Sequence, residues 1–311
     1  LPNDYIIINI AIHIFKQGKT MPHINSVVLM SDAKHFSTCQ PINPYYHQNH
    51  VDRDAAIAEH NNLIQILTSA GVKVVTAPSP DKCQDGVYTA NWALVRGNKA
   101  VLASLPNARK NEEAYAAKIL ANMGLDVIQI PHGLKFSGQG DALACGNLLF
   151  CGSGYRSDAG AQEFAAHALG YERIQLQTIP QTDKKGKPII NTATGWADSY
   201  FYDIDLALAV IKAPTESKKG LIAYCRDAFT TESQAKIDLI DSVEKIIVSI
   251  DEATNGFATN LISTGEIVVM SDKAPNLTRE LEKRGLQVLT PKITEIAKGG
   301  GYIRCMTLTI V

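Results

Sequence analysis

One pattern recurs along the chain and limits what it can fold into. "AGVKVVTAP" (70–78), "MGLDVIQIP" (123–131), "LGYERIQLQ" (169–177) and "RGLQVLTPK" (284–292) each set a glycine in second place with an apolar run behind it. A glycine there stops a helix in the left-handed conformation, and the run after it is a buried strand. "VEKIIVSI" (243–250) holds the equivalent place without the glycine. Ahead of these come segments with apolar residues at three- and four-residue intervals: "DAAIAEHNNLIQILTS", "NEEAYAAKILAN", "DAGAQEFAAHAL", "TESQAKIDLIDS" and "NLTRELEKR",. Each is preceded by one or two strands, such as "SVVLMSD", "WALVRGNKAVLAS", "NLLFCGSG", "LIAYC" and "EIVVMSD". The count is five units of roughly ββαβ type. Five like units sharing one core predict an α/β ring, a five-bladed α/β propeller with helices outside and a central channel. A doubly wound α/β sheet is the alternative.

The units predict a single domain over 21–311, which is long enough to bury a large core,. The stretch 179–199, "IPQTDKKGKPIINTATGWADS", reads as a polar loop over one face, between the third and fourth units, lining a site mouth,. Residues 1–20 stand apart as an N-terminal extension. Its apolar run, Tyr5 to Phe15, is too short to span a bilayer and lacks a signal peptide's basic start and cleavage site,. A net charge of -1 gives no basic field for nucleic acid,. The six cysteines show no zinc spacing and no disulfide framework, so they read as reduced thiols of a cytoplasmic protein,. The histidines of "NPYYHQNH" lack metal-ligand spacing, and "GQGDAL" and "GSGYRS" follow no dinucleotide fingerprint,. No metal or cofactor is expected.

The segment that points to chemistry is "KGGGYIRCMT" (298–307), where three glycines run up to Cys305. Inert core thiols are common but rarely follow so much bare backbone. A cysteine is also the natural nucleophile for a guanidinium carbon, provided that its pKa is lowered. Such a site further needs carboxylate or amide oxygens for the planar N–H groups, an acid for the leaving amine and a base for water.

Several motifs together resemble the pentein superfamily of guanidino-modifying proteins, from about residue 26 to the end. "QDGVYTANWALV", "FSGQGDAL", "FYDIDLAL" and "GGGYIRCMT" are similar to four of its site segments. The resemblance implies Cys305 as nucleophile, Asn91 and Asp205 as holders of the guanidinium, and Arg156 of "GSGYRSD" as partner of a substrate carboxylate. It also implicates Asn43 of "INPYY" in substrate contact. Two positions depart from the pattern. Ser137 stands at the family glutamate, with Gln139 a register shift away, and Asp203 stands at the family histidine. No histidine follows His167, so slippage cannot restore one. One carboxylate is lost and another gained, which suggests that Asp203 serves as the proton carrier; His132 is the alternative, and Arg304 the available partner for a thiolate. Arg109 of "LPNARKNEE" reads as a solvated helix start, with pairing to a substrate carboxylate as the alternative.

The implied function is a guanidino-modifying enzyme, an amidinotransferase or amidine hydrolase, acting on an arginine-like small molecule through a covalent Cys305 amidino intermediate. A binding protein on the same scaffold is the alternative, because Ser137 and Asp203 spoil turnover before they spoil binding. A ribosome-binding role on this fold is a remoter third, against which the near-neutral charge argues. No nucleic-acid or membrane partner is expected, and a homo-oligomer is compatible with the sequence.

Overall fold

The computed structural model describes residues 24–46 and 50–311; the N-terminal extension 1–20 and His47 lie outside them. Five three-stranded sheets carry the chain. In the first, β1 (Val27–Ser31) runs through α1 (Arg53–Ser69) to β2 (Lys73–Ala77). The second has β3 (Ala93–Arg96), β4 (Lys99–Leu102), α2 (Asn111–Asn122) and β5 (Asp126–Ile128). The third has β6 (Ala142–Cys145), β7 (Leu148–Gly152), α3 (Ala159–Leu169) and β8 (Glu172–Leu176). In the fourth, β9 (Leu208–Lys212) and β10 (Gly220–Tyr224) lead through α4 (Thr231–Asp238) to β11 (Val243–Ile247). After the short α5 (Ile250–Thr254), the fifth has β12 (Ile262–Ser263), β13 (Ile267–Val269), α6 (Pro275–Lys283) and β14 (Gln287–Leu289). The last strand, β15 (Leu308–Thr309), returns to the first sheet.

All five sheets obey one rule: the first pair of strands is antiparallel and the second, joined through a helix, is parallel. The central strand is therefore covered on both faces, and β1 is buried at every position,. Separate sheets of three strands exclude the doubly wound alternative among the described residues.

The recurring glycines do what the sequence implies. Gly71, Gly124, Gly170 and Gly285 all have φ between +71 and +85°. At each, the next residue's N–H reaches back to the last turn, as in Leu125 to Leu120 O at 3.1 Å and Leu286 to Leu281 O at 3.2 Å. That satisfies carbonyls which the helix end would leave bare. The fourth unit lacks the glycine; its helix stops at Asp238, short of the expected Ser242, and Leu239 turns out to solvent. Beyond it, the expected strand 243–250 ends at Ile247, because Ser249 caps α5 by accepting from Glu252 N,. Residues 179–199 form a loop held by isolated bridges at Thr182–Pro188 and Ile190–Ala197.

Closure of the first sheet by β15 joins the two ends of the described chain. Val28 faces Thr309, Leu29 faces Leu308, and Leu308 is fully buried against Val27, Leu29 and Trp92 in one apolar cluster. The same strand anchors the turn that carries Cys305. Leu308→Ala is expected to cost about 2–5 kcal/mol by denaturant unfolding. It should also speed Cys305 alkylation under native conditions, because the turn loses its anchor. Unchanged alkylation would show that the turn is held independently of β15.

Candidate active site

The polar residues converge because each unit brings in the turn ahead of its first strand. Cys305 precedes β15, Asn91 sits on the turn Thr89–Trp92 before β3, and Ser137 leads the turn Gly138–Gly140 before β6. Asp203 and Asp205 flank Ile204 on the turn before β9, and Asn260 precedes β12. Sequence reasoning missed Asn260. The signal was present: "ATNLIS" (258–263) of the fifth unit stands where "TANWAL" (89–94) stands in the second.

Asn260 fixes the nucleophile. Its Oδ1 accepts from Tyr302 N and Cys305 N, both at 3.1 Å, which leaves Nδ2 to donate to Cys305 Sγ at 3.2 Å. Two backbone donors on one side set the amide orientation without ambiguity. The thiol in turn donates to Asp205 Oδ2 at 3.3 Å. The three glycines explain themselves by close approach. A Cβ at Gly301 would lie 2.5 Å from the Tyr88 ring, and one at Gly299 would collide with Tyr88 Oη. Gly300, at φ +83°, packs on Asn43, and its carbonyl accepts from Tyr202 Oη at 2.7 Å,.

A second group gathers around Asp203. Its Oδ2 accepts from Asn91 Nδ2 at 2.8 Å and lies 3.4 Å from Arg156 Nη1. Asn91 Nδ2 also lies 2.8 Å from Ser137 Oγ and 3.1 Å from Ser137 O. Asn91 Oδ1 accepts from Arg109 Nη1 at 2.7 Å, so the whole amide is engaged by protein. Only a glycine fits at 140, since a Cβ there would overlap Asn91 Nδ2 and lie 2.8 Å from Asp203 Oδ2. Arg156 stacks its guanidinium on the Tyr202 ring, 3.9 Å from the centroid,.

Arg109 corrects the expectation of a solvated helix start. It is buried, pairs with equally buried Glu112 through Nε at 2.8 Å and Nη2 at 2.7 Å, and also donates to the carbonyls of Asp85 and Tyr88. Trp92 Nε1 completes the Glu112 carboxylate at 3.0 Å. Arg109→Ala would leave Glu112 charged and unpaired in the core, at a cost of about 3–5 kcal/mol in chemical denaturation. The double change Arg109→Met with Glu112→Leu should recover most of that loss. A single variant no less stable than wild type would show the pair to be dispensable.

Four expected residues lie elsewhere. Asn43 is held between Gly299 O, at 3.1 Å, and Tyr45 N, at 2.9 Å, so it supports the glycine turn. Gln139 turns away from Asp203: its Oε1 accepts from Arg304 Nη2 and Thr309 N, both at 2.8 Å. Arg304 accordingly spends its guanidinium on Gln139 and Thr309. His132 is exposed and lines a surface cavity with Lys135 and Trp196, away from the contacts of Cys305.

The electrostatics follow from this crowding. Burial, and then the neighbouring Asp203, push the Asp205 carboxyl up to about 8. Contrary to the lowering expected of a nucleophile, burial, then Asp205 and Asp203, push the Cys305 thiol well above its ordinary value. Asp141, which accepts from Ile204 N at 3.0 Å, is raised in the same way. At rest, Asp205 and the Cys305 thiol thus hold their protons. Meanwhile Asp203 Oδ1 and Asp205 Oδ1 have no hydrogen-bond donor, and Arg156 Nε and Nη2 no acceptor, among the described residues. Buried groups left so are costly unless a ligand completes them. The orphan acceptors suit a planar cation and the orphan donors suit a carboxylate.

The raised Asp205 makes stability depend on pH. Between the unfolded value, about 4, and the folded value, about 8, the native state binds more protons than the unfolded chain. Stability therefore falls as pH rises through that window. Melting temperature is expected to drop from pH 5 to pH 8.5, and Asp205→Asn to flatten the profile and raise the value at pH 8.5. An unchanged slope in that variant would assign the protons elsewhere.

Comparison with known proteins places this geometry. The family described as "N,N dimethylarginine dimethylhydrolase, eukaryotic" matches residues 37–311. A bifunctional arginine dihydrolase/ornithine cyclodeaminase, AgrE, of a Nostoc species is 29% identical over 91% of this chain. The chain spans 37% of that relative's length. An N(G),N(G)-dimethylarginine dimethylaminohydrolase of Mycobacterium tuberculosis is 28% identical, covering 90% of this chain and 84% of its own. Among solved structures, the product-bound N-terminal domain of ArgZ, a cyanobacterial arginine dihydrolase, superposes with a TM-score of 0.79 at 27% identity. It covers 92% of this chain and 97% of that domain.

Proposed function

From the premise that the chain belongs to the N,N-dimethylarginine dimethylhydrolase family, we propose that it modifies guanidino compounds through a covalent Cys305 intermediate and releases that intermediate slowly. The observation that carries the reading is the Asn260–Cys305–Asp205 arrangement, which supplies a positioned sulfur and a carboxylate to take its proton. A guanidinium entering beside Asp203 and Asp205 would present N–H donors to their free oxygens. Its charge would lower the proton affinity of both Asp205 and Cys305. The sulfur would then attack the guanidinium carbon, its proton passing to Asp205. Collapse would break a C–N bond as the leaving nitrogen takes that proton back from Asp205, leaving an amidino group on sulfur. Arg156, with two spare donors, would hold the carboxylate of an arginine-like substrate.

Discharge of that amidino group needs a base for water or for an acceptor amine. Asp203 stands where the family pattern puts histidine, and its Oδ2 is committed to Asn91 and Arg156. A carboxylate so held is a poorer base at neutral pH than an imidazole. The five units are read as the blades of a ring that converges on this site, which is why each turn sends at least one residue to it. A second reading, ligand binding without turnover, is favoured by the complete engagement of Asn91 and by Ser137 beside it.

The test is a product assay with arginine and its N-methylated forms, following released amine or ammonia, citrulline and ornithine, in wild type and Cys305→Ser. Slow product formation that Cys305→Ser abolishes is the expected result. Binding without any product, equal in both proteins, would move the chain to the second reading. Binding itself should release protons below pH 8 and progressively fewer above it, since the cation displaces the Asp205 proton. Calorimetry in buffers of different ionisation enthalpy measures that count, and a pH-independent zero would contradict the assigned protonation.

A further inference from the structure

A second cavity, of about 320 Å³, lies among the first strands of the units, lined by Leu94, Leu143, Ala209, Leu261 and Thr309. Its walls are mainly apolar, and no acidic residue, lysine or histidine lines it among the described residues. Its charged side chains, among the described residues, are two guanidinium groups, Arg96 and Arg304. Neither has a carboxylate partner among the described residues. Arg96 donates to the carbonyls of Leu169 and Gly170 and to Asn147 Oδ1, with its guanidinium 4.1 Å from the Tyr171 ring centroid. Arg304 is buried and donates to Gln139 Oε1, Thr309 Oγ1 and Thr307 O, all neutral.

A buried guanidinium without a counter-charge is expensive. Most buried arginines meet a carboxylate, as Arg109 meets Glu112. Apolar walls and a cation hydrogen-bonded only to neutral groups describe the complement of a small amphipathic anion. The volume sits at the low end of small-molecule sites, which run from about 300 to 1,000 Å³. Arg304 also precedes Cys305 in the chain, and its charge acts on Asp205 against the raising effect of burial.

We propose that this cavity is a second binding site, taking a small monocarboxylate with an apolar body on Arg304, and that its occupancy makes Cys305 less reactive. The carboxylate cancels the charge of Arg304, so Asp205 and the thiol hold their protons more tightly. The inference is independent of the guanidino reading, because it is read on the thiol and not on turnover.

The probe is hexanoate, with acetate as the charge without the body and hexanol as the body without the charge. Calorimetry on the full chain should show saturable one-to-one binding of hexanoate and markedly weaker binding of the other two. Peptide-mapped alkylation of Cys305 by iodoacetamide between pH 8 and 10 should slow about threefold at saturation, the effect of a half-unit rise in thiol proton affinity. Two variants locate the effect. Ala144→Trp, at an exposed position on the rim, fills the cavity without touching the residues around Cys305. Arg304→Met removes the cation. Both should abolish the hexanoate response. Absence of saturable binding to the wild type overturns the proposal, as does saturation without any slowing of alkylation. Binding that survives Ala144→Trp but disappears in Arg156→Gln would place the carboxylate beside Asp203 and overturn it too.

Discussion

Everything about this site depends on the exclusion of water from a cluster of like charges. Asp141, Asp203 and Asp205 are all buried, and the Cys305 thiol is buried with them. Carboxylates packed together out of water cannot all ionise unless cations or fixed dipoles answer them. The chain answers with Arg156 against Asp203, with the Asn91 amide that Arg109 orients toward Asp203, and with retained protons on Asp205 and the thiol. Empty, the site keeps those protons instead of leaving the charges unanswered. A planar cation is the ligand that best relieves it.

The fold serves this arrangement by repetition. Each sheet has the same antiparallel-then-parallel order, so each unit ends up presenting the same element, the turn ahead of its first strand. A polar residue on that turn reaches the site whichever unit supplies it: a thiol from one, amides from two others, two carboxylates from a fourth. This also explains why closure by β15 matters for chemistry as well as stability, since Cys305 and the sheet's last strand are four residues apart at most.

The repeat was legible because helix-stopping glycines leave a strong local signature. Gly71, Gly124, Gly170 and Gly285 mark four units, and the fourth unit, without its glycine, is where the expected helix and strand ends slipped. Cys305, Asp203, Asp205, Asn91 and Ser137 were legible as motif positions. Their roles as bonded partners were not, because hydrogen bonds across units are invisible to local spacing: Asn91 bonds Asp203 across 112 positions, and Arg304 bonds Gln139 across 165. Arg109 misled for the same reason. In sequence it heads a helix beside lysine and glutamates, and only the packing shows that Glu112 and Asn91 turn it inward. Asn260 lay in a weaker repeat of the Asn91 segment and became visible once the units were aligned in space.

The central claim is that Cys305 is a working nucleophile whose adduct outlives the attack. Acid-quenched intact mass after mixing with arginine tests it most directly, with peptide mapping to place any added group. The account predicts an amidino-containing adduct on Cys305 that builds up before product appears. It also predicts that restoring an imidazole by Asp203→His shortens the adduct's lifetime. An unmodified Cys305 at every time point, with arginine bound, would contradict it.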